Sequence, residues 1–162
     1  MTNIQAYLKK RGVTGPWKIK PKPDGRFDQA VVIPAYGESE LLPRTLASLD
    51  ANKPAILKDT IVIVVVNNAV NSPESLQKNN QASLQALQST QYHFTLGIVD
   101  AVSPGMALPL KHAGVGLARK IGMDLVLSHL KNPCSLIFCT DADITVNNNY
   151  IELIKKYFKK TN

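Results

Sequence analysis

Cysteine and aromatic residues are scarce in this sequence. Cys134 and Cys139 are the only cysteines among 162 residues, and aromatic residues make up 6% of the chain. The two cysteines are five positions apart along one predicted extended segment, where their side chains face opposite sides, so we expect neither a disulfide between them nor a metal that they share. His93, His112 and His129 lie in separate predicted elements, which argues against a zinc site.

Several features that would assign a compartment or an activity are also missing. The sequence has no signal peptide and no apolar run long enough to span a membrane, and these absences predict a cytoplasmic protein in a reducing setting. Neither Gly-x-Gly-x-x-Gly after the first predicted strand nor Gly-x-x-x-x-Gly-Lys-Ser/Thr occurs. This argues against a nicotinamide-binding Rossmann domain and a P-loop NTPase. No Ser/His/Asp grouping is evident.

Positive charge is in excess and is concentrated near both ends of the chain. There are 19 Lys and Arg against 12 Asp and Glu, a formal net charge of +7. Such ends favour an anionic partner, either nucleic acid or a membrane surface. Because no aromatic residues alternate with the lysines, we expect no nucleic-acid partner and interpret most of the lysines as solvated helix faces. Peripheral membrane contact stays open, and we make no prediction of the oligomeric state.

Residues 1–27 differ in composition from the rest of the chain. They are polar and basic, and glycines and prolines interrupt any long periodicity. We therefore predict a basic N-terminal arm over residues 1–27, with one short helix near residues 4–10. The remaining residues, 28–162, are predicted to form one α/β domain.

Strands and helices alternate through this domain. Apolar runs at residues 29–33, 60–66, 93–100 and 135–139 predict four strands, each followed by a helical segment. This alternation predicts an α/β fold with a mostly parallel sheet of about four strands flanked by helices. The run at residues 60–66 is the richest in β-branched residues, so we place it in the centre of the sheet. We expect the strand at residues 135–139 to be buried as well.

Two carboxylates follow the last predicted strand. Asp141 and Asp143 are separated by one small residue, Ala142, so both side chains can face the same way at the strand end. Hard oxygen ligands in such an open position suit Mg²⁺ or Mn²⁺. Ligands of open α/β sheets bind outside the carboxyl ends of strands, which favours a metal site over the alternative for so short a motif, a polar turn.

Polar residues in the other loops fit a phosphorylated ligand at the same edge of the sheet. Arg119 is suited to neutralising phosphate charge, and Gly116 lets the backbone approach a ligand. Asn67 and Asn68 each offer a donor and an acceptor to the edge of a base. Tyr36 is suited to stacking on that base, although a packing role for this ring is an equal alternative.

Three segments, taken together, resemble one protein family. Residues 31–38 (VVIPAYGE), 114–122 (GVGLARKIG) and 140–143 (TDAD) resemble the nucleotide-binding half of family-two glycosyltransferases with the GT-A fold. The resemblance extends over about residues 29–150. It implies a Rossmann-like domain that binds a nucleotide-diphosphate sugar, either a UDP- or a GDP-sugar, with Mg²⁺ or Mn²⁺ as cofactor.

The resemblance also implies roles for individual residues. In this family, the positions of Pro34, Ala35, Tyr36 and Glu38 line the nucleotide pocket, and that of Arg119 lies near it. Asp141 and Asp143 would hold the ribose and the metal-bound diphosphate.

The chain departs from the family pattern in two places. Asn67 and Asn68 stand where the family usually has an acidic pair, which leaves the choice between UDP and GDP open. The chain also ends shortly after Asp143, whereas the acceptor-binding half and the catalytic base of the family come later. We therefore expect no catalytic residue in this chain and interpret it as the donor half of a hexosyltransferase-type enzyme.

Two other functions are compatible with parts of the sequence. A non-catalytic module that binds a nucleotide or a polyanion is the alternative from a different class, with the basic ends providing the contacts. A nucleotidyltransferase also places carboxylates at a strand end, but it normally needs a loop rich in glycine and lysine after the first strand. Residues 34–38 do not supply such a loop.

Overall fold

The computed structural model describes residues 3–160 of the chain. Five strands form one sheet, and helices cover both of its faces. The elements are α1 (Asn3–Arg11), β1 (Ile19–Lys20), β2 (Gln29–Ala35), α2 (Leu42–Asp50), α3 (Pro54–Leu57), β3 (Thr60–Asn67), α4 (Glu74–Ser89), β4 (Thr95–Ala101), α5 (Val115–Val126), β5 (Leu136–Cys139) and α6 (Tyr150–Lys160), with short 3-10 turns at Leu110–His112 and Leu127–His129.

The sheet has the strand order β1-β4-β3-β2-β5. Four strands run parallel, and the two-residue strand β1 pairs antiparallel with β4 at one edge. The predicted α/β architecture is therefore confirmed, as is the central position of β3, whose eight residues are all buried. A continuous run of Ile and Val suits this position because helices cover β3 from both sides.

The strand at residues 135–139 differs from its prediction. β5 lies at the edge of the sheet beside β2, and all four of its residues are only half-buried. The expectation of a buried strand was wrong because an edge strand has a neighbour on one side only, and local sequence does not reveal how many neighbours a strand has.

The segment predicted as an N-terminal arm makes many contacts with the rest of the protein. Trp17, Ile19 and Phe27 are buried, and the indole nitrogen of Trp17 donates a hydrogen bond of 2.7 Å to the carbonyl oxygen of Met106. Ile19 pairs with Val99 across β1 and β4. The buried apolar side chains attach this segment to the sheet, and Arg26 adds hydrogen bonds to the carbonyl oxygens of Ser128 and Leu130.

Helix α5 is apolar on more than one side because two elements cover it. Ala118 and Ile121 pack against the sheet. On another side of the helix, Asp124 accepts a hydrogen bond of 2.9 Å from the hydroxyl of Tyr7 in α1 and one of 2.7 Å from the backbone N–H of Val13. Lys120 completes an ion pair with Asp124. A nearly buried carboxylate of this kind is retained only when its oxygens are paired.

Across residues 3–160, no helix combines the length and the apolar character needed to cross a bilayer. Cys134 is exposed, Cys139 is half-buried, and both are free thiols.

Candidate functional site

The strand order reverses between β2 and β5, and we call the region at the carboxyl ends of these two strands the crevice. From β2 the chain proceeds to β3 and then β4 on one side, and it later returns to add β5 on the other side of β2. Such a reversal of strand order is where ligands bind in open α/β sheets. The loops after β2 and β5 flank the crevice, and they carry Tyr36, Glu38, Asp141 and Asp143.

The pairing of β2 with β5 ends before β2 itself ends. Pro34 has no N–H to donate, and the pairing between the two strands stops at Val32 and Cys139. Pro34 and Ala35 are both buried within β2, whereas Tyr36 is 54% exposed at the strand end. Of these three predicted pocket residues, Tyr36 alone presents its side chain to solvent.

The turn after β5 is anchored through its central residue. Ala142 is buried, and its carbonyl oxygen accepts a hydrogen bond of 2.8 Å from the hydroxyl of Thr45 in α2. The flanking residues, Asp141 and Asp143, are exposed. Fixing the small residue inward therefore leaves both carboxylates at the surface, as the spacing predicts.

Each of the two carboxylates has a different neighbour. Asp141 accepts a hydrogen bond from the guanidinium of Arg119 in α5 and forms an ion pair with it. Partial burial, together with the negative charge of Asp143, raises the pKa of Glu38 above its ordinary value. The structure thus brings Glu38, Arg119, Asp141 and Asp143 together at the crevice.

Two polar atoms beside the crevice are buried without a hydrogen-bond partner among the described residues. They are the Nε atom of Arg119 and the hydroxyl oxygen of Thr140, the residue before Asp141. Buried polar groups in native proteins nearly always have a partner, so each unpaired group requires an explanation.

The amino-terminal end of α5 is open. Gly114 has a φ of +143°, and a side chain placed on Gly116 would meet nothing within 4 Å. The first backbone N–H groups of a helix have no partner within the helix and favour negative charge. Gly116 therefore leaves room for an anionic group next to these N–H groups, as predicted for a phosphate.

Asn67 and Asn68 lie at the carboxyl end of β3 but are almost completely buried. The amide nitrogen of Asn67 donates to the carbonyl oxygens of Ala35 and Val65, at 3.0 and 3.2 Å. The amide nitrogen of Asn68 donates to the carbonyl oxygen of Ala69. Both donor groups are thus used within the fold, and a role in reading a base stays a prediction.

Sequence reasoning missed Asn79 and Asn80. Asn80 in α4 is fully buried and accepts a hydrogen bond from the backbone N–H of Gly37 in the loop after β2. The signal was available, because Asn80 shares helical spacing with the buried residues Leu84 and Leu87. A polar residue on the apolar face of a helix indicates a specific partner in the interior.

The donor atoms in the crevice fit a cation that is shared with a ligand. Among residues 3–160 no group of three or more His, Cys, Asp and Glu side chains is arranged to hold a metal by itself. Mg²⁺ is commonly bound through one or two carboxylates and the phosphate oxygens of a substrate, with water in the remaining positions. Asp141 and Asp143 match that smaller donor set.

The charge of Glu38 gives a test of this arrangement. Because the pKa of Glu38 is raised in the folded protein, ionisation costs stability, and stability should fall as the pH rises from about 4.5 through the folded pKa. We expect Glu38→Gln to remove this fall. The free energy of unfolding of the variant, minus that of the wild type, should therefore be larger at pH 7 than at pH 4. Urea unfolding at both pH values measures the difference.

Asp143→Asn tests the physical cause. Removing the neighbouring charge should reduce the pH-dependent fall at Glu38 without abolishing it, since burial remains the larger cause. An unchanged profile in both variants would contradict the proximity of these two carboxylates.

Comparisons with known proteins bear on the fold. No family model matches this sequence, and no curated protein matches it. The crystal structure of S. aureus TarS 1-349 is similar, with a TM-score of 0.52 and 14% sequence identity. The match covers 82% of this chain and 32% of the TarS chain, so the chain spans about a third of that structure. At this identity the similarity establishes the fold alone.

Proposed function

We propose that this chain is the donor-binding domain of a family-two glycosyltransferase with the GT-A fold. The observation that carries the proposal is the grouping of Glu38, Arg119, Asp141 and Asp143 at the crevice between β2 and β5. The fold similarity supports it, because TarS is a glycosyltransferase. The ligand we propose is a nucleotide-diphosphate sugar, with UDP and GDP as the candidate nucleotides.

Each group in the crevice has a distinct role in this proposal. Arg119, whose side chain is partly exposed, contacts the diphosphate through its guanidinium, and the open end of α5 at Gly116 faces the same charge. Tyr36, exposed at the end of β2, stacks on the base. Asp143, together with Asp141, would hold a Mg²⁺ or Mn²⁺ ion, and such an ion would supply positive charge that neutralises the diphosphate.

These roles amount to donor binding. Transfer also needs a positioned acceptor and a base that takes the proton of the acceptor hydroxyl, and a general base typically contributes about 10²- to 10⁴-fold in rate. Our proposal assigns neither role to a residue of this chain. Binding, rather than turnover, is therefore the property to measure first.

A thermal-shift panel tests the proposal. We expect UDP, GDP or one of their sugar conjugates at millimolar concentration to raise the melting temperature, and to raise it further when Mn²⁺ is present. Mn²⁺ alone, which lacks the nucleotide, and nucleoside monophosphates, which lack the diphosphate, are the controls. If no diphosphate nucleotide changes the melting temperature with or without Mn²⁺, the proposal is wrong.

The basic ends of the chain favour a second candidate, a module that binds a polyanion or an anionic membrane surface. The last turn of α1 contains Lys9, Lys10 and Arg11, and no ion pair of Lys155 or Lys159 in α6 occurs within the described part of the chain. Binding of this kind weakens steeply as salt concentration rises, whereas a metal-bridged diphosphate depends chiefly on the cation. Repeating the panel with heparin at 50 and 300 mM NaCl separates the two functions.

A further inference from the structure

Asn80 connects three parts of the protein that are distant in sequence. Its side-chain oxygen accepts a hydrogen bond of 2.9 Å from the backbone N–H of Gly37, in the loop after β2. Its amide nitrogen donates to the carbonyl oxygen of Asn67 and to the side-chain oxygen of Asn68, both at 3.1 Å. Asn80 is fully buried, so it links the ends of β2 and β3 to α4 out of contact with water.

The neighbouring residue, Asn79, makes a parallel contact. Its side-chain oxygen accepts a hydrogen bond of 3.0 Å from the backbone N–H of Ser39. The two asparagines therefore hold the residues on either side of Glu38. Since Glu38 is the residue whose carboxylate lies near Asp143, these contacts set the position of one side of the crevice.

The backbone at Gly37 needs side-chain contacts to hold its conformation. Gly37 has a φ of +75°, a conformation that glycine adopts readily but that fixes no geometry by itself. A loop with a glycine at its centre has many alternative conformations in the absence of side-chain contacts. The partly buried hydrogen bond from Gly37 to Asn80 and the hydrogen bond from Ser39 to Asn79 select one of them, together with the backbone hydrogen bond from Leu42 to the carbonyl oxygen of Glu38.

We propose that Asn80 is a positioning residue for donor binding: it fixes the Tyr36–Gly37–Glu38 turn in the conformation that presents the ring and the carboxylate to the nucleotide-diphosphate sugar. The identity of the ligand in this inference rests on the proposed function. The role of Asn80 in fixing the turn does not depend on that function. Asn80 acts through Gly37, and its own amide does not contact the ligand.

The test replaces Asn80 by leucine, a side chain of similar size without hydrogen-bonding groups. Amide hydrogen exchange, followed by NMR, should be at least about ten-fold faster at Gly37 in Asn80→Leu, with the exchange of Val64 in β3 changed much less. The dissociation constant for UDP or GDP with Mn²⁺, measured by calorimetry, should rise about ten-fold. Gln81→Leu, an exposed position one residue further along α4, is the matched control and should alter neither quantity.

Asn79→Ala keeps the proposal testable if Asn80→Leu does not fold. Asn79 is only half-buried, so this variant loses one hydrogen bond without a large cavity, and exchange should accelerate at Ser39. A folded Asn80→Leu protein with unchanged exchange at Gly37, or an Asn79→Ala protein with unchanged exchange at Ser39, would overturn the inference. If exchange changes as expected but even the wild type binds no nucleotide, the fixed turn stands and the proposed function fails.

Discussion

Asp143→Ala should lose the whole Mn²⁺-dependent part of the stabilisation by UDP or GDP. A ligand at about 100 times its dissociation constant stabilises a protein by about 2.7 kcal/mol, which corresponds to about 5–10 °C in melting temperature for a domain of this size. The variant should retain only the shift that the nucleotide produces without metal. The physical reason is that, within residues 3–160, Asp143 forms no ion pair, whereas Asp141 is paired with Arg119.

The fold of Asp143→Ala should be intact. Asp143 is exposed and lies beside another carboxylate, so we expect the free energy of unfolding without ligand to change by no more than about 0.5 kcal/mol. Asp24→Ala, an exposed acid outside the crevice, is the control and should keep the full metal-dependent shift. A metal-dependent shift that survives in Asp143→Ala would remove this residue from the site.

Gly122→Ala should destabilise the protein by about 1–2 kcal/mol and lower its melting temperature by about 2–8 °C. A Cβ atom at this position would lie 2.5 Å from Cγ1 of Val32 and 3.0 Å from Cγ2 of Val65, which are both fully buried. Alanine is the better helix former by about 0.5–1 kcal/mol, but the overlap with the centre of the sheet is the larger effect. Urea unfolding measures the net change.

Gly116→Ala is the matched control on the same helix. Nothing lies within 4 Å of a Cβ atom there, so alanine should leave stability unchanged or raise it by up to about 1 kcal/mol. It should weaken the binding of UDP or GDP, because the added methyl group occupies the open approach to the start of α5. If both glycine variants lose stability equally, the close packing of α5 on β2 and β3 is not the cause.

The apolar patterns were sufficient to predict most of the sheet. The run of Val and Ile in β3 predicts a strand covered on both faces, and the structure confirms it. The same reasoning failed for β5 because its half-buried edge position depends on where the chain returns to the sheet, which lies outside the strand itself. Strand β1 was missed because two residues are too few for a periodic pattern.

The candidate site was predictable in part because parallel strands end at one edge of the sheet. The position of Asp141 and Asp143 after a strand places them at the carboxyl edge whatever the strand order. The contacts that join the buried asparagines to the loop after β2 were not predictable, because they connect residues distant in sequence. Asn80 lies 43 positions from Gly37, and Asn67 turns its amide towards Ala35 instead of towards the crevice.

The sequence by itself determined that strands alternate with helices and that acidic and polar residues collect at one edge of a parallel sheet. This follows from local hydrophobic pattern and from the direction of parallel strands. Only the tertiary structure decided that Arg119 pairs with Asp141, that Glu38 lies near Asp143, and that Asn80 holds the turn at Gly37. Those contacts join segments that are distant in sequence, and their geometry is fixed only once the helices and the sheet have packed.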